Sequence, residues 1–468
     1  MCLIFWSTSV IFTSFFLVDI PQGKEYAYHN TYKMNLLHVI FGRSVIVCCN
    51  GSPKAYRNKN IVLLVESRVE MRKHMDEMGQ DTEEHISDRA QIADAGIPKK
   101  RRKRKWSFYW KVILALAILD LALNLFARIP AICDVYTDHI FWIWTESYGR
   151  ITGIFPVSVG EILLILAIIY VLIWLLSLIL LIFLHKKSGY RKYIRQYSKS
   201  VLAFGLFVLL VMTLNCSMLY GCSKLNIKGH RNVEYTASDV QKLWNYVASQ
   251  CNRLSLEMER DDQGNPIYQG DQTEAVRQAM QELSSDYPRF RGWFPRPKPI
   301  HFSYIMYQAN CTGVYFPFSM EANYNTYLSD LSYCATTAHE LSHLKGYIYE
   351  DEADFMAYLA CIGSEDPYLQ YSGYLCILGY LQSDYLDTEP DRSQEVVLLD
   401  QVYADSANYT YTEETYKDIE STEPVFDQKT VETFSDGITD TYMDYYDATP
   451  NYAEVTKLML AYYDGILY

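Results

Sequence analysis

Two histidines and a glutamate stand at a spacing that can bind a metal ion. His339 and His343 are four residues apart, and Glu340 directly follows the first of them. On a helix, residues four apart lie one above the other on the same face, so both imidazoles can reach one ion. The glutamate then points to the edge of the site, where it can accept a proton from a metal-bound water molecule. The pattern predicts a catalytic zinc site with Glu340 as the general base.

The acidic run after the histidines supplies a third ligand. Gly346 can end the first helix, and the sequence predicts that a second helix begins at Glu350. Glu350 and Asp354 are four apart and share a face of that helix. Glu350 is therefore the predicted third ligand. Asp354 is the predicted carboxylate that orients His339 through its other ring nitrogen.

Two alternatives for this acidic run stay open. Glu352 and Asp351 could each serve as the third ligand instead. The same acids also suit a solvated first helical turn, because negative charge is favoured at a helix N-terminus.

The spacing of these residues distinguishes two classes of zinc peptidase. Metzincins place a third histidine where this chain has Tyr349, a poor zinc ligand, so the metzincin arrangement is disfavoured. The Glu-x-x-Ala-Asp pattern at 350–354 resembles gluzincins instead. Only six residues separate His343 from Glu350, which is shorter than is usual in those families.

Three longer stretches resemble one bacterial family of uncharacterised multi-pass membrane proteins, domain of unknown function 3810. They are PKPIHFSYIMYQANCTGVYFPFSMEANYNTYL, AHELSHLKGYIYEDEADFMAYLAC and YLQYSGYL. The resemblance covers the chain from about Lys105 to its end. Ser342 and Asp354 stand where the family motif has Ala and Asn. The resemblance implies a membrane architecture and a zinc-peptidase site, and it supplies no substrate.

Charge and hydropathy divide the chain into a membrane part and a soluble part. Residues 1–220 carry 26 Lys and Arg against 16 Asp and Glu, whereas residues 221–468 carry 16 against 39. Apolar runs at 108–126, 162–184 and 201–220 predict three transmembrane helices. Cation-rich segments at 99–105 and 185–200 belong on the cytoplasmic side, which places the C-terminal part outside the cell membrane. The acidic C-terminal part disfavours nucleic acid as a partner.

These patterns predict three regions. Residues 1–98 form an extension, either disordered or an over-extended start that precedes a first residue at Met71. Residues 99–220 form the α-helical membrane domain, with Phe141, Trp142 and Trp144 in an interfacial aromatic belt. Residues 221–468 form a mostly α, zincin-like α+β domain with a small sheet. Its predicted helices cover 235–258, 272–283, 330–345, 350–362, 367–386, 394–403, 429–447 and 451–463, and its predicted strands cover 300–306 and 312–318.

Other polar residues are weaker candidates for substrate contacts. Glu321 and Asn323 follow a predicted strand that could pair with extended substrate, although a turn-forming role suits Asn323 equally. Tyr371 and Tyr374 could donate a hydrogen bond to an oxyanion, but with 41 Tyr in the chain packing is the better assignment for each.

The leading prediction is a membrane-anchored zinc metallopeptidase that acts on a peptide or protein substrate outside the lipid bilayer. The alternative is a non-enzymatic membrane-anchored binding or sensor protein whose metal site is structural or vestigial. A third interpretation inverts the topology and places the C-terminal domain in the cytoplasm.

Overall fold

The part of the chain that the structure describes contains fourteen longer helices, four short 3-10 helices and three strands. This computed structural model describes residues 107–421, 424, 427–446 and 452–468, so the predictions for residues 1–98 lie outside it. The helices are α1 (Phe108–Phe126), α2 (130–152), α3 (Val159–Leu184), α4 (Ser188–Tyr220), α5 (Ala237–Ser255), α6 (Gln272–Glu282), α7 (Ser303–Gln308), α8 (Asp330–His343), α9 (Glu350–Gly363), α10 (Pro367–Asp387), α11 (Asp400–Ala407), α12 (Glu413–Ser421), α13 (Gln428–Tyr446) and α14 (Tyr452–Tyr463). The strands are β1 (Lys298–Ile300), β2 (Gly313–Phe316) and β3 (Glu321–Asn325).

Three of these helices, α1, α3 and α4, are long and apolar enough to cross a membrane. This confirms that the chain has three apolar helices of membrane length. The last of them is longer than predicted, because it begins at Ser188 and includes most of the basic segment at 185–200. Only His185, Lys186 and Lys187 separate α3 from α4.

The segment predicted as a loop between the first two spans contains the helix α2. It includes two π-helical turns, Thr137–Phe141 and Thr145–Gly149. The wider turns keep residues spaced by about four on one buried face. That face consists of Thr137, Phe141, Thr145, Gly149 and Thr152. Phe141 is only 1% exposed, so it does not belong to the exposed aromatic belt, whereas Trp142 and Trp144 are on the exposed side.

The small sheet has the order β1–β3–β2, so β2 is an edge strand. β1 runs parallel to β3, and β2 runs antiparallel to it with Val314 opposite Asn323. The sequence prediction missed β3, because its alternating Glu and Asn side chains are polar although they are buried. Buried polar residues carry no hydrophobic period that would reveal a strand.

Two predicted elements differ from the structure for reasons that lie in tertiary contacts. The strand predicted at 300–306 ends at Ile300, because the Glu161 carboxylate accepts hydrogen bonds from the backbone of His301 and Phe302 and turns the chain into α7. The helix predicted at 394–403 begins only at Asp400.

The residues ahead of α11 stay extended because two asparagines of α5 bind their backbone. Asn245 donates to the carbonyl of Gln394 and accepts from the amide of Val396. Two helical turns further along α5, Asn252 donates to the carbonyl of Val397 and accepts from the amide of Leu399.

A buried ion pair joins the sheet to the start of α3. Glu321, which is 1% exposed, pairs with Lys298 on β1 and accepts hydrogen bonds from the amide of Gly160 at 2.8 Å and from Ser319. A carboxylate at a helix N-terminus is stabilised by the unpaired amides and by the helix dipole. Glu321 therefore holds the N-terminus of an apolar helix against the sheet.

Glu321→Gln is expected to lower the free energy of unfolding by about 3–5 kcal/mol, because it leaves the buried Lys298 charge without a partner. Denaturant unfolding of the detergent-solubilised protein, followed by tryptophan fluorescence, measures the change. Glu257→Gln is the matched control, since that carboxylate forms an exposed pair with Arg253 and its removal should leave stability almost unchanged. Equal stability of the two variants would show that the buried pair contributes little.

Candidate metal centre

The helix α8 presents the motif residues from a buried position. Its N-terminus is capped by Ser329, whose hydroxyl accepts a hydrogen bond from the amide of Ser332. Ala335, Ala338 and Leu341 are at most 2% exposed, and they pack the helix into the core. Small and apolar neighbours thus fix the direction in which the polar face of α8 points.

A tight turn brings the acidic helix α9 back against the motif. Gly346 has a φ of +91°, a conformation that residues with a side chain rarely adopt. The ring Nδ1 of His343 lies 2.7 Å from the carbonyl oxygen of Tyr347 in this turn. The turn delivers Glu350 to the first position of α9, facing both histidines.

The two imidazoles and the Glu350 carboxylate converge on one point. Oε2 of Glu350 lies 3.1 Å from Nε2 of His339 and 3.8 Å from Nε2 of His343. Ligands of a four-coordinate metal ion bound at about 2.1 Å lie roughly 3.4 Å apart. The three residues could hold a metal ion without large movement, and they form the one such group found in the described part of the chain.

Both histidines are oriented through their other ring nitrogen. Nδ1 of His339 lies 2.7 Å from Oδ1 of Asp354, while the backbone of Tyr347 binds Nδ1 of His343. A donor bond from Nδ1 leaves Nε2 free to act as a metal ligand. The structure therefore brings Asp354 to the position that the sequence predicts for it.

The carboxylates around the two imidazoles favour a cation at the point where the three ligand atoms converge. Burial works against a charge on His339, but Asp354 and Glu350 outweigh it and hold its pKa well above the usual range. Burial lowers the pKa of His343 to about 4. Burial also works against a charge on Glu350, yet the hydrogen bond from His339 and the charges of both imidazoles lower its pKa to about 2. Asp354 and Glu350 thus favour positive charge at the point where a metal ion would bind.

Glu340 lies beside the triad and is 5% exposed. Its Oε2 atom is buried and has no hydrogen-bond partner among the described residues. Burial raises the pKa of this carboxyl to about 8 in the metal-free protein. A Cβ on Gly313 of β2 would come within 2.5 Å of Oε1, so only glycine leaves room for the carboxylate. An unpartnered buried oxygen next to three potential ligands fits a site that takes up a metal ion and a water molecule.

The alternative ligands make other contacts. Glu352 accepts a hydrogen bond from the amide of Leu225 at 2.5 Å, and Asp351 accepts one from the amide of Glu352. Neither carboxylate belongs to the group of converging ligand atoms among the described residues. The geometry therefore favours Glu350 as the third ligand.

The residues predicted to contact substrate hold buried structural positions. Glu321 binds the start of α3, and Asn323 donates to the carbonyl of Val314. Tyr371 donates to Asp405, which also pairs with Arg260. Tyr374 lies 3.3 Å from the hydroxyl of Tyr246, in an aromatic cluster. None of these hydrogen bonds reaches the triad.

Contacts with α2 and α4 hold the turn of the candidate metal centre, and no sequence motif indicates them. The hydroxyl of Tyr349 donates to the carbonyl of Tyr220, the last residue of α4, at 2.6 Å. Thr145 of α2 donates to the carbonyl of Leu344. A Cβ on Gly346 would collide with Thr137. The candidate ligand Glu350 thus follows directly after a residue bonded to the end of an apolar helix.

The fold and the site together define a class of protein: a chain with three helices of membrane length and a candidate His/His/Glu metal centre next to the end of the third. More particularly, the chain belongs to the family described as protein of unknown function (DUF3810), whose profile matches residues 136–460. The matched region runs from α2 into α14 and includes the metal centre. Neither the curated proteins nor the solved structures gave a match.

Glu350→Gln should abolish tight binding of a divalent metal ion, because a neutral amide replaces the one carboxylate among the three ligands. Metal content after loading and gel filtration, measured by plasma mass spectrometry, gives the result. Glu352→Gln is the matched control in the same helical turn, and we expect it to retain metal. If Glu352→Gln loses the ion and Glu350→Gln keeps it, the ligand assignment is wrong.

Proposed function

We propose that this protein is a membrane-anchored zinc metallopeptidase with a zincin-like, gluzincin-type site. The observation that carries the proposal is the convergence of two Nε2 atoms and one carboxylate oxygen next to the buried, unpartnered carboxylate of Glu340. Two histidines and one carboxylate, with a position left open, form a catalytic zinc arrangement. A closed structural site needs a fourth ligand, and no fourth side chain joins the triad in the described residues.

Each residue of the site has a chemical task in peptide hydrolysis. His339, His343 and Glu350 would hold zinc, which polarises the scissile carbonyl and acidifies a water molecule when it is bound. Glu340 takes a proton from that water and passes it to the leaving amine. Asp354 keeps His339 in the tautomer that presents Nε2 to the ion.

The edge strand β2 supplies a place for an extended substrate. The amide of Asn325 donates to the carbonyl of Thr312. Because hydrogen-bonded pairs alternate with non-bonded pairs along an antiparallel ladder, the backbone N–H and C=O groups of Gly313 and Tyr315 point away from β3. The backbone of Tyr315 donates to the Glu340 carboxylate, and the carbonyl of Gly313 accepts from the thiol of Cys311, so this edge lies beside the general base. A peptide that exchanges these bonds for strand pairing would run past Glu340.

The position of the turn indicates which substrates can reach the site. Tyr349 is bonded to the end of the apolar helix α4, and Leu344 is bonded to Thr145 of α2, so the site lies close to the membrane surface. The bias of cations toward 99–105 and 185–200 assigns those segments to the cytoplasm and the metal centre to the outside of the cell membrane. The substrate is then a peptide or protein segment near the outer membrane surface.

Glu340→Gln should retain zinc but lose peptide hydrolysis by about 10²–10⁴-fold, because general-base catalysis is removed while the ligands stay. The measurement pairs zinc content with cleavage of casein, an unfolded substrate, by the zinc-loaded full chain in proteoliposomes, and new N-termini are identified by mass spectrometry.

Glu257→Gln is the control for this experiment, since its carboxylate is exposed and pairs only with Arg253 among the contacts of the described chain. Zinc-loaded wild type that cleaves no more than Glu340→Gln would contradict the peptidase proposal. A protein that binds zinc without hydrolysis would instead be a binding or sensor protein with a structural metal.

A further inference from the structure

The first half of α4, residues 188–200, is an amphipathic helix that folds back along α3. Two of its tyrosines face α3: the hydroxyl of Tyr190 donates to the carbonyl of Ser177, and that of Tyr197 donates to the carbonyl of Tyr170, each at 2.7 Å. Ile194 is buried on the same side. These contacts fix which face of the helix points outward.

The outward face carries a basic stripe, which we define as Arg191, Lys192, Arg195 and Lys199. At 100° per residue, these four side chains fall within an arc of about 100°. The first three are exposed. Lys199 lies over the rings of Tyr109 and Trp110 of α1, at 5.2 and 6.0 Å from their centroids. The stripe therefore continues onto the aromatic start of the first apolar helix.

The charge of the basic stripe is not compensated nearby in the described part of the chain. Residues 162–233 contain no Asp or Glu. No ion pair in the described residues involves any member of the stripe. The four cations along about two helical turns therefore form a positive face that attracts an anionic partner.

The adjacent wall of the hairpin is apolar at the same level. Leu172, Ile173 and Leu176 of α3 are 57%, 48% and 56% exposed. If water surrounded the whole hairpin, the cations would be solvated but the apolar side chains of α3 would be exposed to water. If hydrocarbon surrounded it, the apolar side chains would be covered but the cations would lose their solvation. A bilayer interface satisfies both walls, with acyl chains against α3 and phosphates against the stripe.

The start of α1 supports this depth. Its 19 residues span about 29 Å, which matches a hydrocarbon core about 30 Å thick. The aromatic start of α1 contacts Lys199, so the stripe begins at the headgroup end of this span. Trp174 and Tyr170 of α3 bind Ser198 and Ser200 at the same level, as aromatic residues do at membrane interfaces.

We propose that the basic stripe is a binding site for anionic phospholipid headgroups. Lipid binding at this stripe does not depend on the proposed peptidase activity. The phosphates and negative headgroups neutralise the stripe, while the acyl chains cover the exposed residues of α3. This fixes the depth of the hairpin and thereby the height of the metal centre at the other ends of the helices.

The test compares lipid binding by the full-length protein and its Arg191→Gln/Lys192→Gln/Arg195→Gln variant. Native mass spectrometry in detergent measures the affinity for phosphatidylglycerol and for phosphatidylcholine. Each basic residue near an anionic surface contributes about a fivefold factor, so the triple variant should bind phosphatidylglycerol on the order of 100-fold more weakly. Its binding of phosphatidylcholine should not change. The variant Lys242→Gln/Lys417→Gln/Lys457→Gln removes the same charge from exposed positions elsewhere and should bind as wild type does.

A second measurement does not need the variants to fold. Binding of phosphatidylglycerol to wild type should weaken as ionic strength rises, since exposed charges are screened. The proposal is overturned if wild type binds both lipids equally, or if the two triple variants lose affinity equally. It is also overturned if phosphatidylglycerol binds only after residues 1–98 are removed, because an acidic part of that segment would then be the occupant of the stripe.

Discussion

At Gly346, the turn between α8 and α9 leaves no room for a side chain. Thr137 of α2 lies where a side chain would project, and Leu219 of α4 lies close by. The positive φ of Gly346 reverses the chain within six residues, and this reversal brings Glu350 back to the histidines. A short, close-packed turn thus sets the geometry of the metal centre. Because the surfaces that it packs against belong to α2 and α4, the same contacts hold the centre against α2 and the end of the apolar helix α4.

Charge determines what the site can hold. Carboxylates raise the pKa of His339, while burial lowers the pKa of His343, so the carboxylates favour positive charge between the two rings. A divalent cation supplies that charge and uses both Nε2 atoms. Glu340 remains beside them with a buried oxygen that lacks a partner among the described residues, which is costly unless a ligand or water binds there. The arrangement is thus better suited to a bound ion than to a structural hydrogen-bond network.

Local patterns predicted much of the fold and most of the triad. Helical periodicity placed α5, α6, α8, α9 and α10 within a few residues of their observed bounds, and the fourfold spacing of the histidines and of Glu350 and Asp354 predicted which side chains would share a face. The sequence left Glu352 and Asp351 open because spacing alone cannot show that Glu352 is held by the amide of Leu225.

The features that the sequence did not reveal depend on tertiary contacts. The buried face of α2 has no ordinary helical period, because π-helical turns shift it. β3 is a polar strand whose side chains are paired inside the protein, and Glu321 binds the start of α3 through backbone amides that no motif marks. The sequence did not predict a helix in the basic segment before the third span. The hydroxyls of Tyr190 and Tyr197 stabilise this helix by donating to carbonyls of α3, which are distant in the chain. In each case the partner lies far away in the chain.

X-ray absorption at the zinc edge of the zinc-loaded full-length protein tests the central claim most directly. The account predicts a shell of nitrogen and oxygen atoms at about 2.0–2.2 Å, with the multiple-scattering pattern of two imidazoles. In His343→Ala, the scattering of one of the two imidazoles should disappear. In His301→Ala, whose histidine is exposed and lies outside the triad, the scattering of both imidazoles should persist. A sulfur shell at about 2.3 Å, or a spectrum without imidazole scattering, would contradict it.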